Sequence, residues 1–85
     1  MARRKVWSAV HLEGGLPTEF RAFAAERKCL KWLQWQVRQV LPGDEPMRIL
    51  QALDDLDLGT VTQYLADHDS KHSFYWGRCE LEGAA

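Results

Sequence analysis

Residues 24–41, AAERKCLKWLQWQVRQVL, constrain the fold more than any other part of the chain. At the 100° rotation per residue of an α-helix, the apolar side chains of this segment fall within one arc of roughly 120°. These side chains are Cys29, Leu30, Leu33, Val37, Val40 and Leu41. The pattern predicts an amphipathic helix that packs this arc against a core.

The opposite side of the predicted helix is polar, with Lys28, Lys31 and Arg38, yet it also carries Trp35. Trp32 lies on the border between the two sides. Trp and Arg are enriched among the residues that dominate binding energy at protein interfaces. The alternative is that tryptophans simply enlarge a small core. We expect Trp35 to be exposed and to anchor a partner.

Chain length and composition indicate one small globular domain, residues 1–85. A chain of 85 residues buries only about 60 to 65% of its unfolded surface, which leaves little room for a shielded active site. No apolar run approaches the roughly 18 residues of a membrane span. Arg3 and Arg4 are not followed by the apolar block of a secretion signal. We therefore expect a cytoplasmic protein without a membrane partner.

Three segments have the character of strands. Residues 6–13 (VWSAVHLE) alternate between apolar and polar, and residues 18–23 (TEFRAF) follow after a Gly- and Pro-containing connection, which predicts a β-hairpin. Residues 73–81 (SFYWGRCEL) are aromatic and extended, so they predict a last strand. If helices cover one face of this sheet, either of two sets is expected on its open face. These sets are Trp7, His11 and Arg21, or Phe74, Trp76 and Arg78.

One or two shorter helices are expected between the long helix and the last strand. Asp44 is a candidate N-cap for the first of them, which should end by Gly59. Residues 60–68 are ambiguous, because Thr60 and Gln63 form a capping-box pattern while TVTQYL is also compatible with a strand. We favour a helix for this segment.

The predicted fold is therefore α+β: a three-stranded antiparallel sheet in the order β-β-α-α-(α)-β, with helices packed on one face. A four-stranded sheet is the alternative. The chain is expected to be a monomer or a homodimer paired through sheet edges.

No catalytic or cofactor motif is present, so we expect neither enzyme activity nor a cofactor. His68, His72 and Cys79 are the only clustered metal-ligand types, and their spacing matches structural zinc poorly, so no metal is expected. Without a signal peptide, Cys29 and Cys79 are expected to be reduced, buried thiols.

Charge is divided along the chain. Residues 1–43 hold eight Lys and Arg against three Glu, and residues 44–85 hold three against nine acids. Such asymmetry favours charged partners and fast association. A basic helix side with Trp35 also suits nucleic acid, although the isoelectric point of about 6.3 is low for that function. The residues expected at a partner interface are Trp35, Trp32, Lys28, Lys31, Arg38, Asp54, Asp55 and Asp57.

Small size, charge zoning and the lack of a catalytic motif resemble, in type, phage-encoded inhibitor proteins such as anti-CRISPR proteins. No residue motif supports that resemblance, so no functional residue is carried over from it. The sequence predicts a protein-interaction module that binds a larger protein or nucleoprotein complex, with inhibition of that partner as one outcome. Nucleic-acid binding through Trp35 and the basic helix side is the alternative.

Overall fold

The structure, a computed structural model, describes the backbone of residues 3–68 and 70–82 and the side chains of residues 5–68 and 70–79. Its elements follow the order β-β-α-α-α-β, so the predicted α+β fold is confirmed. They are β1 (Arg3–Glu13), β2 (Leu16–Phe23), α1 (Glu26–Val40), α2 (Met47–Asp54), α3 (Leu58–Asp67) and β3 (His72–Glu82).

The three strands form one antiparallel sheet in the order β2-β1-β3, with β1 in the centre. Gly14 and Gly15 connect β1 to β2 with φ angles of 62° and 84°. A two-residue hairpin turn with positive φ at both positions matches the twist of the strands, and glycine adopts it without strain. The register of β2 shifts at His11, where the Thr18 hydroxyl donates to the carbonyl oxygen of His11 at 3.1 Å.

All three helices pack on the face of the sheet that carries Ala9, His11 and Phe74, which are buried, and Trp7 and Trp76 pack against the same core. The expectation that Trp7 and His11, or Phe74 and Trp76, lie on an open face is therefore wrong. Packing Trp7, Phe74 and Trp76 against the helices removes a large apolar area from water. By strand register, Arg21 and Arg78 share the helix-covered face, at its exposed periphery.

The core lies between this face and the helices. From α1 it takes Cys29, Leu33 and Val37, which are fully buried, as their helical spacing predicts. The other helices add Ile49, Ala52, Leu53, Leu58, Val61, Tyr64 and Leu65. Each fully buried aliphatic side chain contributes roughly 1.5–3 kcal/mol. The molecule is only 17 Å across in its thinnest direction, which is one layer of helix on one layer of sheet.

The helix starts differ from the predicted ones. Pro46, not Asp44, is the N-cap of α2. Residues 60–68 lie largely in α3, so the helix predicted there is confirmed, but its N-cap is Asp57 rather than Thr60. The carboxylate of Asp57 accepts from the Thr60 backbone N–H at 3.4 Å and from the Thr60 hydroxyl at 2.7 Å. Starting at Leu58 lets α3 bury both Leu58 and Val61.

Leu56 joins α2 to α3 in the left-handed conformation, with φ of 61°. The Leu56 N–H donates to Leu53 and the Asp57 N–H to Ala52, at 3.1 and 2.8 Å, which is the hydrogen-bond pattern of a Schellman motif. Glycine is the usual residue there, and leucine costs about 1 kcal/mol or more. Because the Leu56 side chain packs against the core, the tight turn is retained.

Cys29 and Cys79 are free thiols, as expected, but only Cys29 is buried. The expectation of a buried Cys79 is wrong, because its position opposite Val6 places it on the uncovered face of the sheet. None of the helices that the structure describes has the length and apolarity needed to cross a membrane.

Candidate interaction surface

Trp35 projects from the solvent side of α1, and 59% of its surface is exposed. Its neighbours Gln36 and Val37 are buried, so the helix is held tightly on the side away from the indole. The predicted exposure of Trp35 is confirmed. An indole this exposed leaves a large apolar area in water beside polar groups, which is the composition of many interface anchors.

Trp32 differs from Trp35, because it is half-buried and packs against the core. Its ring centroid lies 6.0 Å from that of Phe23, with the planes tilted by 50°. This tilted aromatic contact gives Trp32 a structural role in fixing α1 to the end of β2.

The three cations predicted on α1, Lys28, Lys31 and Arg38, are all exposed. Arg38 donates through Nη2 to Oδ1 of Asp54 on α2 at 3.3 Å. Both side chains are largely exposed, so the pair contributes no more than about 1 kcal/mol to stability. The pair does, however, bring a cation from the basic half of the sequence next to an acid from the acidic half.

The other two predicted acids have local partners. Asp55 accepts a hydrogen bond from Gln51 at 3.3 Å, on the same helix. Asp57 caps α3 and is therefore explained by folding alone. Of the acids predicted to bind a partner, only Asp54 is brought next to the predicted cations.

Two apolar side chains of α2 extend this region. Met47 and Leu50 are exposed and share a helix face with Asp54, since positions i, i+3 and i+7 lie within about 60° of one another. We call the set Trp35, Arg38, Asp54, Leu50 and Met47 the helical surface. Neither Met47 nor Leu50 is among the residues that the sequence predicted at a partner interface. The i, i+3 spacing of Met47 and Leu50 is the sequence pattern from which their shared helix face could have been predicted.

A buried polar network lies under α1. His11 and Gln36 are each 8% exposed, and Nδ1 of His11 lies 2.9 Å from Oε1 of Gln36. Because an amide oxygen only accepts, His11 donates through Nδ1. Its Nε2 lies 2.9 Å from Nδ1 of His72, so a hydrogen bond joins the two rings. His11 also stacks on Phe74 at 4.4 Å.

The histidines and Cys79 do not assemble the cluster that a metal would need. His68 donates through Nδ1 to the carbonyl oxygen of Tyr64 at 2.8 Å, while His72 is directed at His11. Among the described residues, no group of three or more His, Cys, Asp or Glu side chains is arranged to hold a metal ion.

Two open clefts flank α3. One, of about 240 Å³, lies between α3 and β3 and includes Gln63 and Ser73 in its walls. The other, of about 560 Å³, lies between the end of α1 and α3 and includes Val40 and Tyr64. Both are shallow, and neither includes Trp35 or Arg38 in its walls.

Comparison with known proteins adds no relative: no protein family, curated protein or solved structure matches the chain. Function is therefore inferred from the geometry of this chain alone.

Proposed function

We infer that the chain is a protein-interaction module that binds a larger protein or nucleoprotein complex through the helical surface. The observation that carries this proposal is the 59% exposure of Trp35 on a helix whose other side is fully packed. A rigid aromatic anchor loses little conformational entropy on binding and can fill a pocket on a partner.

The platform under Trp35 is well fixed. Leu33 and Val37 are fully buried, and Gln36 is hydrogen-bonded to His11 beneath the helix. On the flank, Gln34 donates to the carbonyl oxygen of Leu53 at 3.0 Å, which ties α1 to α2. Such preorganisation favours binding, because the surface need not be ordered when a partner arrives.

The Arg38–Asp54 pair favours a protein over a nucleic acid as the partner. A nucleic-acid backbone is bound best by a continuous series of basic side chains. Here the carboxylate of Asp54 lies 3.3 Å from the guanidinium of Arg38 and interrupts the basic side of α1. Apolar Leu50 and Met47 complete the surface, as at a protein interface. Nucleic-acid binding by Trp35 with Lys28 and Lys31 is the second candidate.

Inhibition of the partner is the finer form of the proposal. A 9.8-kDa domain with one anchor surface and no catalytic motif suits a protein that occupies another protein's binding site. Its charge asymmetry would speed the encounter and make the association rate depend on salt.

Affinity capture tests the proposal. The tagged chain, Trp35→Ala and the control Leu16→Ala are each used on a host lysate, with and without nuclease. Leu16 is also highly exposed, but it lies at the hairpin end of β2. We expect a nuclease-resistant partner with wild type and the control, reduced at least about tenfold with Trp35→Ala, as for a hot-spot anchor. Equal capture by all three would remove Trp35 from the interface.

Salt dependence separates the two candidates. Binding to a single-stranded oligonucleotide by phosphate contacts falls steeply, by about 10³-fold or more for six contacts between roughly 50 and 200 mM salt. We expect no oligonucleotide binding stronger than the non-specific level of roughly 10⁻⁴ to 10⁻⁶ M. Tighter binding that is lost in Trp35→Ala would favour the nucleic-acid candidate.

A further inference from the structure

The face of the sheet turned away from the helices is uncovered in the described structure. Among the residues whose side chains the structure describes, strand alternation and register place eleven on this face, which we call the open face: Val6, Ser8, Val10, Leu12, Pro17, Phe20, Ala22, Ser73, Tyr75, Gly77 and Cys79. Phe20 and Tyr75 are 66% and 63% exposed. Two large aromatic side chains on one flat apolar face form the kind of patch that marks an interaction site.

The open face consists of alternating rows of large and small side chains. Phe20 and Tyr75 both lie opposite Val10, so these three form one bulky row across the sheet. The next row is small: Ala22 and Gly77 both lie opposite Ser8. A Cβ added to Gly77 would meet no atom within 4 Å, so the space above this row is empty.

We propose that the open face binds a second copy of this chain, face to face about a two-fold axis between these two rows. In that arrangement the Phe20–Val10–Tyr75 row of each copy lies over the Ala22–Ser8–Gly77 row of the other. Two sheets packed in this way lie about 10 Å apart with interdigitated side chains. A two-fold interface requires a self-complementary surface, and adjacent bulky and small rows provide one.

Charge supports a copy of the chain as the occupant. Of the eleven residues of the open face, which are those with described side chains, none is Lys, Arg, Asp or Glu, although the chain as a whole is 27% charged. Two copies therefore meet without burying an ionic group or opposing like charges, both of which are costly. The helical surface, with its ion pair, lies in the other layer and stays outside this interface.

The area predicts a weak dimer. Seven residues of β1 span about 23 Å, and three strands span about 14 Å, a flat footprint of roughly 320 Å². The accessible area is larger, on the order of 500 Å² per copy, because Phe20 and Tyr75 alone expose roughly 100–150 Å² each. The total of about 1,000 Å² lies at the lower limit for specific interfaces, which corresponds to micromolar or weaker affinity.

Sedimentation equilibrium of the untagged chain tests the proposal, over about 5 to 500 µM, which brackets that affinity. We expect the average mass to rise from the 9.8 kDa monomer toward twice that value. Phe20→Lys and Tyr75→Lys change exposed positions on edge strands, where lysine is well tolerated, and each should abolish the rise. Met47→Lys, an exposed position on α2, is the matched control and should dimerise as wild type does.

Three results would overturn the proposal: a monomer throughout the concentration range, a dimer that persists in both open-face variants, or a monomer that co-sediments with phosphatidylcholine vesicles. The second result would indicate pairing through sheet edges, and the third would assign the open face to lipid. Circular dichroism of each variant confirms that it is folded. Trp35→Ala should dimerise normally, so failure of this proposal and failure of the proposed function are distinguishable.

Discussion

The buried hydrogen bond between His11 and Gln36 should matter for stability mainly because removal of one side chain leaves the buried polar group of the other without a partner. In Gln36→Leu, Nδ1 of His11, a residue that is only 8% exposed, loses its hydrogen-bond acceptor. An unpaired buried donor costs about 1–3 kcal/mol. The free energy of unfolding of a domain this small is about 4–13 kcal/mol, so the loss is a large fraction of the total.

The double variant supplies the decisive comparison. His11→Phe alone preserves the stack on Phe74 but leaves the Gln36 amide unpaired, at a similar cost. Combining it with Gln36→Leu removes the unpaired amide as well, and the lost contact to Nδ1 of His72 costs less, because that side chain is 20% exposed and lies 4.0 Å from Glu13. We therefore expect the double variant to be more stable than either single variant, with a coupling of at least about 1 kcal/mol.

Urea unfolding followed by far-UV circular dichroism at neutral pH measures all four proteins. With a slope of about 1 kcal/mol per M for a small domain, each single variant should lower the midpoint by roughly 1–3 M. Unchanged slopes show that the variants differ in stability rather than in compactness. Single-variant losses that add within about 0.5 kcal/mol in the double variant would refute the reasoning, since independent sites behave in that way.

Four further predictions follow from exposure, burial and capping. Trp35→Ala should cost less than about 1 kcal/mol in urea unfolding, as for a surface site; a larger loss would place the indole in the core. A thiol reagent should label Cys79 at once and Cys29 only on unfolding. Desolvation by burial, with a smaller effect of the nearby Glu26 carboxylate, raises the pKa of Cys29 above its ordinary value of 9.0. The contribution of Cys29 to stability is therefore complete below pH 9.0 and is lost as the pH rises from 9.0 through the raised pKa. Cys29→Ala should remove this loss of stability at high pH. Asp57→Ala should cost about 1 kcal/mol through the lost cap, whereas Asp55→Ala should be nearly neutral; equal losses would contradict the cap assignment.

Local patterns were sufficient to predict the elements. The 3.6-residue spacing of Cys29, Leu33 and Val37 fixed the buried side of α1, and with it the exposure of Trp35. The alternation of side chains predicted β1 and β3, but it does not determine which of the two faces of the sheet the helices cover. Which face is covered depends on side chains from β3, some 60 residues away, so the sequence around His11 alone could not decide it.

The long-range polar contacts had no local signal. Gln36 is separated from His11 by 25 residues and Asp54 from Arg38 by 16, and each pair exists only because the helices dock as they do. The N-cap of α3 was predicted wrongly for a different reason. Thr60 and Asp57 are both good capping residues, and the burial of Leu58, a tertiary effect, selects Asp57.

The pairing of β1 with β3 also has a kinetic consequence. Residues 3–13 pair with residues 72–82. One edge of the central strand β1 therefore lacks its backbone hydrogen-bond partners until β3 has been synthesised. Contacts of such wide sequence separation slow folding, because a long loop must close before they form. A nascent chain that lacks β3 therefore displays the unpaired edge of β1 and the exposed side chain of Phe20, a state prone to aggregation on the ribosome.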